Sequence, residues 1–375
     1  MKILLLTSHI ELGGIGFYTV NLAKYLKKNG VDVVVASSGG SLLYLLDVEG
    51  IRHVRMNIRA KFEFGPKVWA ALPSLIRMIK REGFDVVHAQ TRTTQVLACL
   101  AKSFTGVPIV TTCHGAFNHK RLGRILFPCW GDRAIAISRD VKDHLVNDLK
   151  VAKEKVRQVY TGIELERFKR YDDAGDTALK DRLGFGEKDI VVGSIGRYSP
   201  VKGFKVLIRA FSKVLERDTC VKLLLVGDGP EKNSLIELVS ELGIGRSVVL
   251  DDGSKAPRED YFKVINIFCV PSLAEGLGLS AMEAMASGRA CVASAVGGLP
   301  EVIESGKDGL LVEPGDEEGL AQAVIRLLDD AGLRSKLAGE AEKKAFRDFS
   351  AEDWAEKMIK VYEEVIGERC VVCSA

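Results

Sequence analysis

The sequence predicts an α/β protein built from two doubly wound domains, each with a parallel sheet covered by helices on both faces. Short apolar runs recur along the chain, and each is followed by a longer segment with helical spacing. This is the pattern of buried parallel strands that alternate with helices. The pattern restarts after a polar stretch near the middle. The 375 residues also exceed the roughly 250–300 at which one hydrophobic core stops growing, so we expect two cores.

The first domain is expected over residues 1–168. Its apolar runs predict strands at 3–6, 31–36, 85–88, 109–112 and 133–137. Helical spacing predicts intervening helices, for example at 17–29 and 68–81. A repeating strand and helix order of this kind is typical of a doubly wound sheet.

A polar stretch at 169–181, rich in charge and poor in large apolar residues, is predicted to be the linker. The second domain is then expected over 182–350. Its predicted strands are 190–194, 221–226, 247–250, 267–271 and 290–293. An amphipathic segment at 351–367 predicts a closing helix that ends near Gly367.

Composition indicates an ordinary globular protein, at 47% hydrophobic and 27% charged residues. No stretch approaches the roughly 18 apolar residues of a spanning helix, so any membrane contact is expected to be peripheral. Eight scattered cysteines, most of them inside apolar runs, fit a reducing compartment, and we expect a cytoplasmic location. Cys370 and Cys373 lack further metal ligands nearby, and a frayed tail is expected there.

Charge is distributed unevenly between the two halves. Residues 1–165 carry 24 Lys and Arg against 13 Asp and Glu, a net of +11, which leaves −8 for the remainder. This asymmetry predicts that the first half faces something anionic.

A glycine cluster, Gly13, Gly14 and Gly16, follows the first strand and opens a helix. Backbone amides and the helix dipole favour an anion at such a position. The cluster lacks the full dinucleotide spacing, and no acidic residue ends the second strand, so NAD binding is not expected. A second cluster, at 227–230, is interpreted as a turn between a strand and a helix.

The loop after the strand at 190–194 carries Arg197 and Lys202, five residues apart. Arginine offers a fixed fork of donors and lysine a point charge, a combination that suits a diphosphate. The alternative is a pair of solvated surface charges.

A further loop presents Glu275, and a helix follows from near Leu279 with Glu283 in its first turns. Two carboxylates that bracket a helix N-terminus suit a ligand with both hydroxyl and phosphate groups. For Glu283 an alternative is a capping box with Ser280, in which the carboxylate only satisfies a backbone amide.

These residues resemble the signature of the retaining GT-B glycosyltransferases of family 4. That signature is a Glu, seven residues and a second Glu, preceded by an Arg and a Lys on an earlier loop. The resemblance extends over essentially the whole chain, through the segments 12–14, 112–115, 136–138, 159–168, 296–303 and 308–315. It implies two Rossmann-like domains that face a central cleft, the first binding the acceptor and the second a nucleotide-sugar donor.

The resemblance also implies roles for single residues. Arg197 and Lys202 would neutralise the donor diphosphate, Glu275 would bind hydroxyls of the transferred hexose, and Glu283 would bind the ribose. His114 would reach the donor sugar, unless it is a satisfied core histidine. Further residues implied on the donor side are Gly14, Gly196, Gly278 and Leu279. One departure is Gly16, where many members have a polar residue for acceptor contact.

No Asp-x-Asp sequence is present, so the usual carboxylates for a metal-bridged diphosphate are missing. Cationic side chains and a helix dipole can stabilise a leaving diphosphate instead. We therefore expect an enzyme without a metal or other cofactor. The resemblance implies front-face attack with retention, in which the departing phosphate oxygen takes the acceptor proton.

Two basic stretches interleaved with apolar residues lie in the first half. Their cations are Arg52, Arg55, Arg59 and Lys61 in the first and Lys120, Arg121 and Arg124 in the second. They predict adsorption to anionic lipid and a lipid-linked or lipopolysaccharide acceptor at the inner membrane surface. The alternatives are solvated faces with a soluble sugar acceptor, a sugar-nucleotide epimerase or hydrolase on the same fold, or a non-catalytic binding protein. Nucleic acid is not expected as a partner, because no aromatic platform or known fold for it occurs.

Overall fold

The computed structural model describes residues 1–11, 13–60, 62–115, 124, 127–169 and 177–374, the side chains of 370–374 excepted. Internal contacts divide the chain into two units. The first consists of residues 1–162 together with 351–375, and the second of residues 163–350.

The first unit contains a seven-stranded parallel sheet in the order β3-β2-β1-β4-β5-β6-β7. Its strands are β1 Lys2–Leu6, β2 Asp32–Ser37, β3 Arg52–Arg55, β4 Val86–Ala89, β5 Ile109–Cys113, β6 Arg133–Ala136 and β7 Val156–Gln158. Its described helices are α1 Gly14–Lys28, α2 Leu43–Val48, α3 Pro66–Glu82, α4 Arg92–Thr105 and α5 Arg139–Asp143.

The second unit contains a six-stranded parallel sheet in the order β10-β9-β8-β11-β12-β13. Its strands are β8 Ile190–Ile195, β9 Val221–Val226, β10 Val248–Asp251, β11 Ile267–Val270, β12 Ala290–Ser294 and β13 Leu310–Val312. Its described helices are α6 Leu165–Phe168, α7 Thr177–Leu183, α8 Phe204–Arg217, α9 Lys232–Glu241, α10 Arg258–Val264, α11 Leu279–Ala286, α12 Leu299–Val302, α13 Glu317–Asp329 and α14 Ala331–Asp348. The α/β class with two doubly wound parallel sheets is confirmed.

The central strands were predictable because both of their faces are buried. Every residue of β4, β5, β6, β11 and β12 is buried, so each of these strands is a run of mostly apolar residues in the sequence. Three strands were missed in the sequence, namely β3, β7 and β13. They have three or four residues each and lie at sheet edges, where half-exposed side chains remove the apolar run that marks a buried strand.

The chain passes to the second unit at Ile163, before the boundary expected at residue 168. The Ile163 amide donates to the Phe349 carbonyl oxygen at 2.9 Å, and the Phe168 ring packs edge-on against Phe262 with centroids 5.7 Å apart. These contacts attach 163–168 to the second unit. The linker expected at 169–181 includes the start of α7, and residues 170–176 lie outside the described part.

The final helix, α15 Ala351–Ser374, belongs to the first unit. It continues past Gly367, where we expected it to end, and includes the residues expected to form a frayed tail. Arg133 explains the continuation, because its guanidinium bonds both Glu364 and Glu368, one on each side of that glycine. The helix brings six carboxylates and three cations to the first unit, which reduces the positive charge counted from the sequence of residues 1–165.

Candidate active site

The donor-side residues that lie in the second unit are on loops and a helix at one edge of the second sheet. Strands β8 and β11 are neighbours there, and the strand order reverses between them. Ligands of open α/β sheets bind outside the carboxyl ends of the strands at such a switch point. The loop after β8 carries Arg197 and Lys202, and the loop after β11 carries Glu275.

Backbone hydrogen bonds join these two loops. The amides of Leu273 and Ala274 both donate to the Val201 carbonyl oxygen, at 2.8 and 3.3 Å. Val201 lies in a single 3₁₀ turn, Pro200–Lys202, that precedes α8. The relative position of Lys202 and Glu275 is therefore set by main-chain atoms.

Lys202 and Glu275 form an ion pair. The Lys202 Nζ donates to Glu275 Oε2 at 2.6 Å, and the Ser272 hydroxyl donates to the same oxygen at 3.0 Å. The Glu275 side chain is 11% exposed and that of Lys202 is 30% exposed. The solvated-charge alternative is therefore wrong for Lys202. A solvated surface charge does describe Arg197, because its side chain is exposed and makes no hydrogen bond or ion pair with any part of the chain that the structure describes.

A glycine in a third loop packs against the main chain of Glu275. Gly297, which follows β12, has a φ of +57°, and a Cβ there would lie 1.8 Å from the Glu275 carbonyl oxygen. Only glycine combines this left-handed backbone with such a close approach. The paired glycines at 297 and 298 thus hold the main chain that carries the Glu275 carboxylate.

Glu283 is bonded by an arginine, Arg258, that was not among the site residues expected from the sequence. Arg258, the first residue of α10, donates from Nε at 2.8 Å and from Nη2 at 2.6 Å, both to Glu283 Oε2. Helix α11 instead begins after Gly278 without any side-chain cap. The capping box between Ser280 and Glu283 is therefore wrong. Among the described residues Glu283 Oε1 has no hydrogen-bond partner, which leaves one carboxylate oxygen for a ligand.

The other donor-side residues of the second unit lie on the same loop and at the start of the same helix. Gly196 follows β8 directly, and its amide donates to the Val226 carbonyl oxygen at 2.9 Å. Gly278 and Leu279 stand at the uncapped N-terminus of α11. Residues 227–230 form a turn between β9 and α9, as expected.

In the first unit, α1 begins at Gly14, three residues earlier than predicted, with Gly13 as N-cap and no capping side chain. A Cβ at Gly14 would meet no atom of the described residues within 4 Å. Gly16 is different, because a Cβ there would lie 2.1 Å from the Glu11 carbonyl oxygen. The departure at Gly16 is thus required by the packing of the loop before the helix.

His114 follows β5 and is half-buried. Its Nε2 lies 3.0 Å from Gln90 Oε1, and the Tyr18 ring packs edge-on at a centroid distance of 4.6 Å. Burial lowers the pKa of His114 to about 3, so the imidazole is neutral near pH 7. Its Nδ1 makes no hydrogen bond to any described residue, so His114 is not a fully satisfied core histidine.

His88, Thr112, Tyr18 and Tyr362 form a buried hydrogen-bond network that has no signal in the sequence. His88 Nδ1 lies 2.7 Å from the Tyr362 hydroxyl, and His88 Nε2 lies 2.7 Å from the Thr112 hydroxyl. Thr112 in turn contacts the Tyr18 hydroxyl at 3.1 Å. His88 is therefore a core histidine whose ring nitrogens are both bonded, and it ties α15 to β4.

Comparison with known proteins decides the family. The model of the family described as Glycosyltransferase Family 4 matches residues 12–167, and that of Glycosyl transferases group 1 matches residues 176–344. The chain belongs to glycosyltransferase family 4.

Relatives of known name cover nearly the whole chain. N-acetyl-alpha-D-glucosaminyl L-malate synthase of Bacillus anthracis is 28% identical, over 96% of this chain and 96% of its own. D-inositol 3-phosphate glycosyltransferase 1 of Catenulispora acidiphila is 29% identical, over 95% of this chain and 92% of its own. The crystal structure of a glycosyltransferase from Rickettsia africae matches with a TM-score of 0.85 at 25% identity, over 97% of this chain and 98% of that one. The GT-B fold is confirmed.

The basic stretches of this glycosyltransferase are partly engaged within the chain. Arg52 forms a bidentate ion pair with Glu82, with N–O distances of 2.7 and 2.8 Å, and this pair lowers the pKa of the Glu82 carboxylate to about 2. Arg59 forms an ion pair with Glu11 at 3.3 Å. Arg55 is exposed and makes no side-chain bond to the described residues.

The second stretch is described at one cation only. Arg124 is half-buried, and its charge partly offsets the burial that raises the pKa of Cys113 to about 12. Lys61, Lys120 and Arg121 lie outside the described residues. None of the described helices is both long and apolar enough to cross a membrane.

Proposed function

We propose that this enzyme transfers a hexosyl group from a nucleotide diphosphate sugar to an acceptor hydroxyl, with retention of anomeric configuration and without a metal ion. The observation that carries the proposal is the set of groups at the switch point of the second sheet. There the cations Arg197 and Lys202 and the carboxylate Glu275 lie on loops at the carboxyl edge of the sheet, and Glu283 lies within α11, which follows one of these loops.

Each group has bonding capacity left for the donor. The Lys202 ammonium has three donors, of which one is used by Glu275, so two remain for phosphate oxygens. Arg197 retains its whole donor fork. Glu275 can accept from hexose hydroxyls through Oε1, since Lys202 and Ser272 both bond Oε2, and Glu283 can accept from ribose hydroxyls through its own Oε1.

The proposed reaction is a front-face displacement. The bond between the anomeric carbon and the diphosphate oxygen breaks, and a bond from the acceptor oxygen to the same carbon forms on the same face. The acceptor proton moves to the departing phosphate oxygen. Positive charge fixed around the leaving diphosphate lowers the barrier most, because its negative charge grows as the bond breaks.

For the acceptor we propose a small anionic molecule with a free hydroxyl. The names of the two relatives refer to L-malate and D-inositol 3-phosphate, which are both molecules of this kind. The first unit is rich in cations, whereas the internal pairing of Arg52 and Arg59 leaves fewer of them for a lipid surface.

A lipid-linked or lipopolysaccharide acceptor at an anionic membrane surface is the second candidate. It is favoured by large aromatic side chains exposed near the two basic stretches in sequence. Phe62 is 77% exposed, and Trp69 and Phe127 are each 53% exposed. Aromatic rings next to cations are typical of peripheral contact with a membrane interface.

One panel experiment tests these proposals. UDP-, GDP- and ADP-sugars are each incubated with L-malate, D-inositol 3-phosphate or a lipid-linked glycan in vesicles, and nucleotide release and product mass are measured. We expect release with one donor that depends on a small anionic acceptor. Release that depends only on the vesicle acceptor would replace the first candidate by the second. Release without any acceptor, or an isomerised donor, would contradict transfer altogether.

A further inference from the structure

Gln90 and His114 occupy equivalent places on adjacent strands. Gln90 directly follows β4 and His114 directly follows β5, and these strands pair in parallel. The Gln90 backbone N–H donates to the Leu6 carbonyl oxygen at 2.9 Å, and the Gln90 side chain is 1% exposed. Both residues therefore stand at the carboxyl edge of the first sheet, on fixed main chain.

The hydrogen bond between them determines the tautomer of the histidine. An amide oxygen can only accept, so the hydrogen that lies between Gln90 Oε1 and His114 Nε2 must belong to Nε2. A neutral imidazole carries one hydrogen, and Nδ1 is then an acceptor. The Tyr18 ring, nearly perpendicular to the imidazole at 86°, holds the ring plane.

A glutamine at position 90 lowers the stability of the fold if its role is only to fill space. Its side-chain Nε2 is buried and has no hydrogen-bond partner among the described residues. Such a buried and unpaired donor costs about 1–3 kcal/mol, which an apolar side chain of similar shape would avoid. A polar group at this position is explained if the bond to His114 is needed for activity.

We propose that Gln90 is a positioning residue, which holds the His114 ring in the Nε2–H tautomer so that Nδ1 accepts a hydrogen bond from a hydroxyl of the transferred sugar. This inference rests on the proposed function, because it requires a sugar substrate. It adds to that function a residue that does not itself touch the substrate.

Three titratable groups around His114, namely His88, Tyr18 and Cys113, are uncharged near neutral pH. Burial and the neighbouring imidazole lower the pKa of His88 to about 3, burial raises the pKa of Tyr18 well above its ordinary value, and the pKa of Cys113 is raised to about 12. Arg124, near Cys113, is positively charged. A carboxylate placed at position 90 would therefore stabilise the His114 imidazolium and raise the pKa of His114.

If Gln90 sets the tautomer of His114, a carboxylate at position 90 should produce a pH effect that a merely structural residue would not produce. In Gln90→Glu the imidazole becomes protonated as the pH falls, Nδ1 then carries a hydrogen, and it can no longer accept from the sugar. We expect kcat/KM of this variant to fall about tenfold between about pH 8.5 and about pH 5.5, relative to wild type, which is the loss of about one hydrogen bond. Gln90→Met should lower kcat/KM by a similar factor at every pH.

The matched control is Gln95→Met. Gln95 is also buried, at 3% exposure, but its side-chain amide donates to the Thr112 carbonyl oxygen at 3.3 Å, whereas the bond to His114 comes from Gln90. We expect this variant to keep the pH profile of the wild type. A profile of Gln90→Glu that parallels wild type would overturn the proposal.

A second measurement needs no substrate. Nitrogen-15 NMR of histidine-labelled wild-type protein, assigned with His114→Asn, reports which ring nitrogen of His114 carries the hydrogen. We expect a protonated Nε2 and an unprotonated Nδ1, and the reverse would refute the proposal. Because this spectrum requires no turnover, a chain with the expected tautomer that fails to transfer any sugar would contradict the proposed function alone.

Discussion

Replacing Lys202 with methionine removes one partner of a half-buried ion pair and one proposed ligand of the donor diphosphate. The pair joins Nζ to Glu275 Oε2 at 2.6 Å, with side chains 30% and 11% exposed. Exposed pairs contribute about 0–1 kcal/mol, and loss of one partner from a buried pair costs about 3–5 kcal/mol. For this intermediate burial we expect the free energy of unfolding to fall by about 1–3 kcal/mol. Turnover should fall about 10²-fold or more, equivalent to about 2.7 kcal/mol of transition-state stabilisation.

The double variant Lys202→Met with Glu275→Gln separates the two effects. It removes the carboxylate that the single substitution leaves unpaired, so most of the lost stability should return, while turnover stays low. Urea unfolding measures the first quantity and nucleotide release at saturating donor measures the second. Lys213→Met is the control, because Lys213 forms a 2.7 Å pair with Glu318 on the exposed surface of the same unit, and neither quantity should change. Recovery of turnover together with stability in the double variant would show that the pair is only structural.

Three further predictions concern the metal, the membrane and a buried histidine. Activity should persist in excess EDTA; complete loss that only Mg²⁺ or Mn²⁺ restores would contradict a mechanism without metal. The double variant Arg55→Ala with Trp69→Ala should sediment less with anionic vesicles at low salt than Arg52→Ala does, because the Arg52 guanidinium is already paired with Glu82. Equal binding by wild type and both variants would show that this face is only solvated. The pKa of His88 is lowered to about 3, so below about pH 6.5 the native state binds fewer protons than the unfolded state. The free energy of unfolding should therefore decrease as the pH is lowered from about 6.5 towards 3. The loss due to His88 should be about 2–3 kcal/mol between about pH 6.5 and 4.5, measured by urea unfolding, and parallel curves for wild type and His88→Gln would refute it.

Sequence periodicity predicted the elements that are buried on both faces. The run at 3–6, for example, lies within β1, because a central parallel strand needs apolar residues at successive positions. The strand Arg52–Arg55 was instead interpreted only as a basic stretch, since an edge strand with exposed arginines carries no apolar run. The start of α1 was placed too late, because its first turn is built from glycines that a sequence pattern assigns to the loop.

The candidate site shows the same limit. Arg197, Lys202, Glu275 and Glu283 were found because each follows a strand or opens a helix, a position that local sequence can indicate. Their partners are set by packing between distant segments, and no spacing rule predicts those. Arg258 lies 25 residues before Glu283 and bonds it only because α10 and α11 are brought together in the folded unit.

The pairing of Lys202 with Glu275 has the same origin. Both were expected to bind the donor separately, whereas the structure joins them through the backbone bonds at Val201. In the first unit, Gln90 gave no signal in the sequence, because a polar residue at the end of a strand usually lies in an ordinary loop.

The configuration of the product tests the central claim most directly. An α-linked nucleotide sugar, identified by the donor panel, is converted with its acceptor, and proton NMR of the product gives the coupling constant of the anomeric hydrogen before any later isomerisation. Retention predicts an α-linked product in wild type and its near absence in Lys202→Met. A β-linked product would contradict the proposed front-face mechanism.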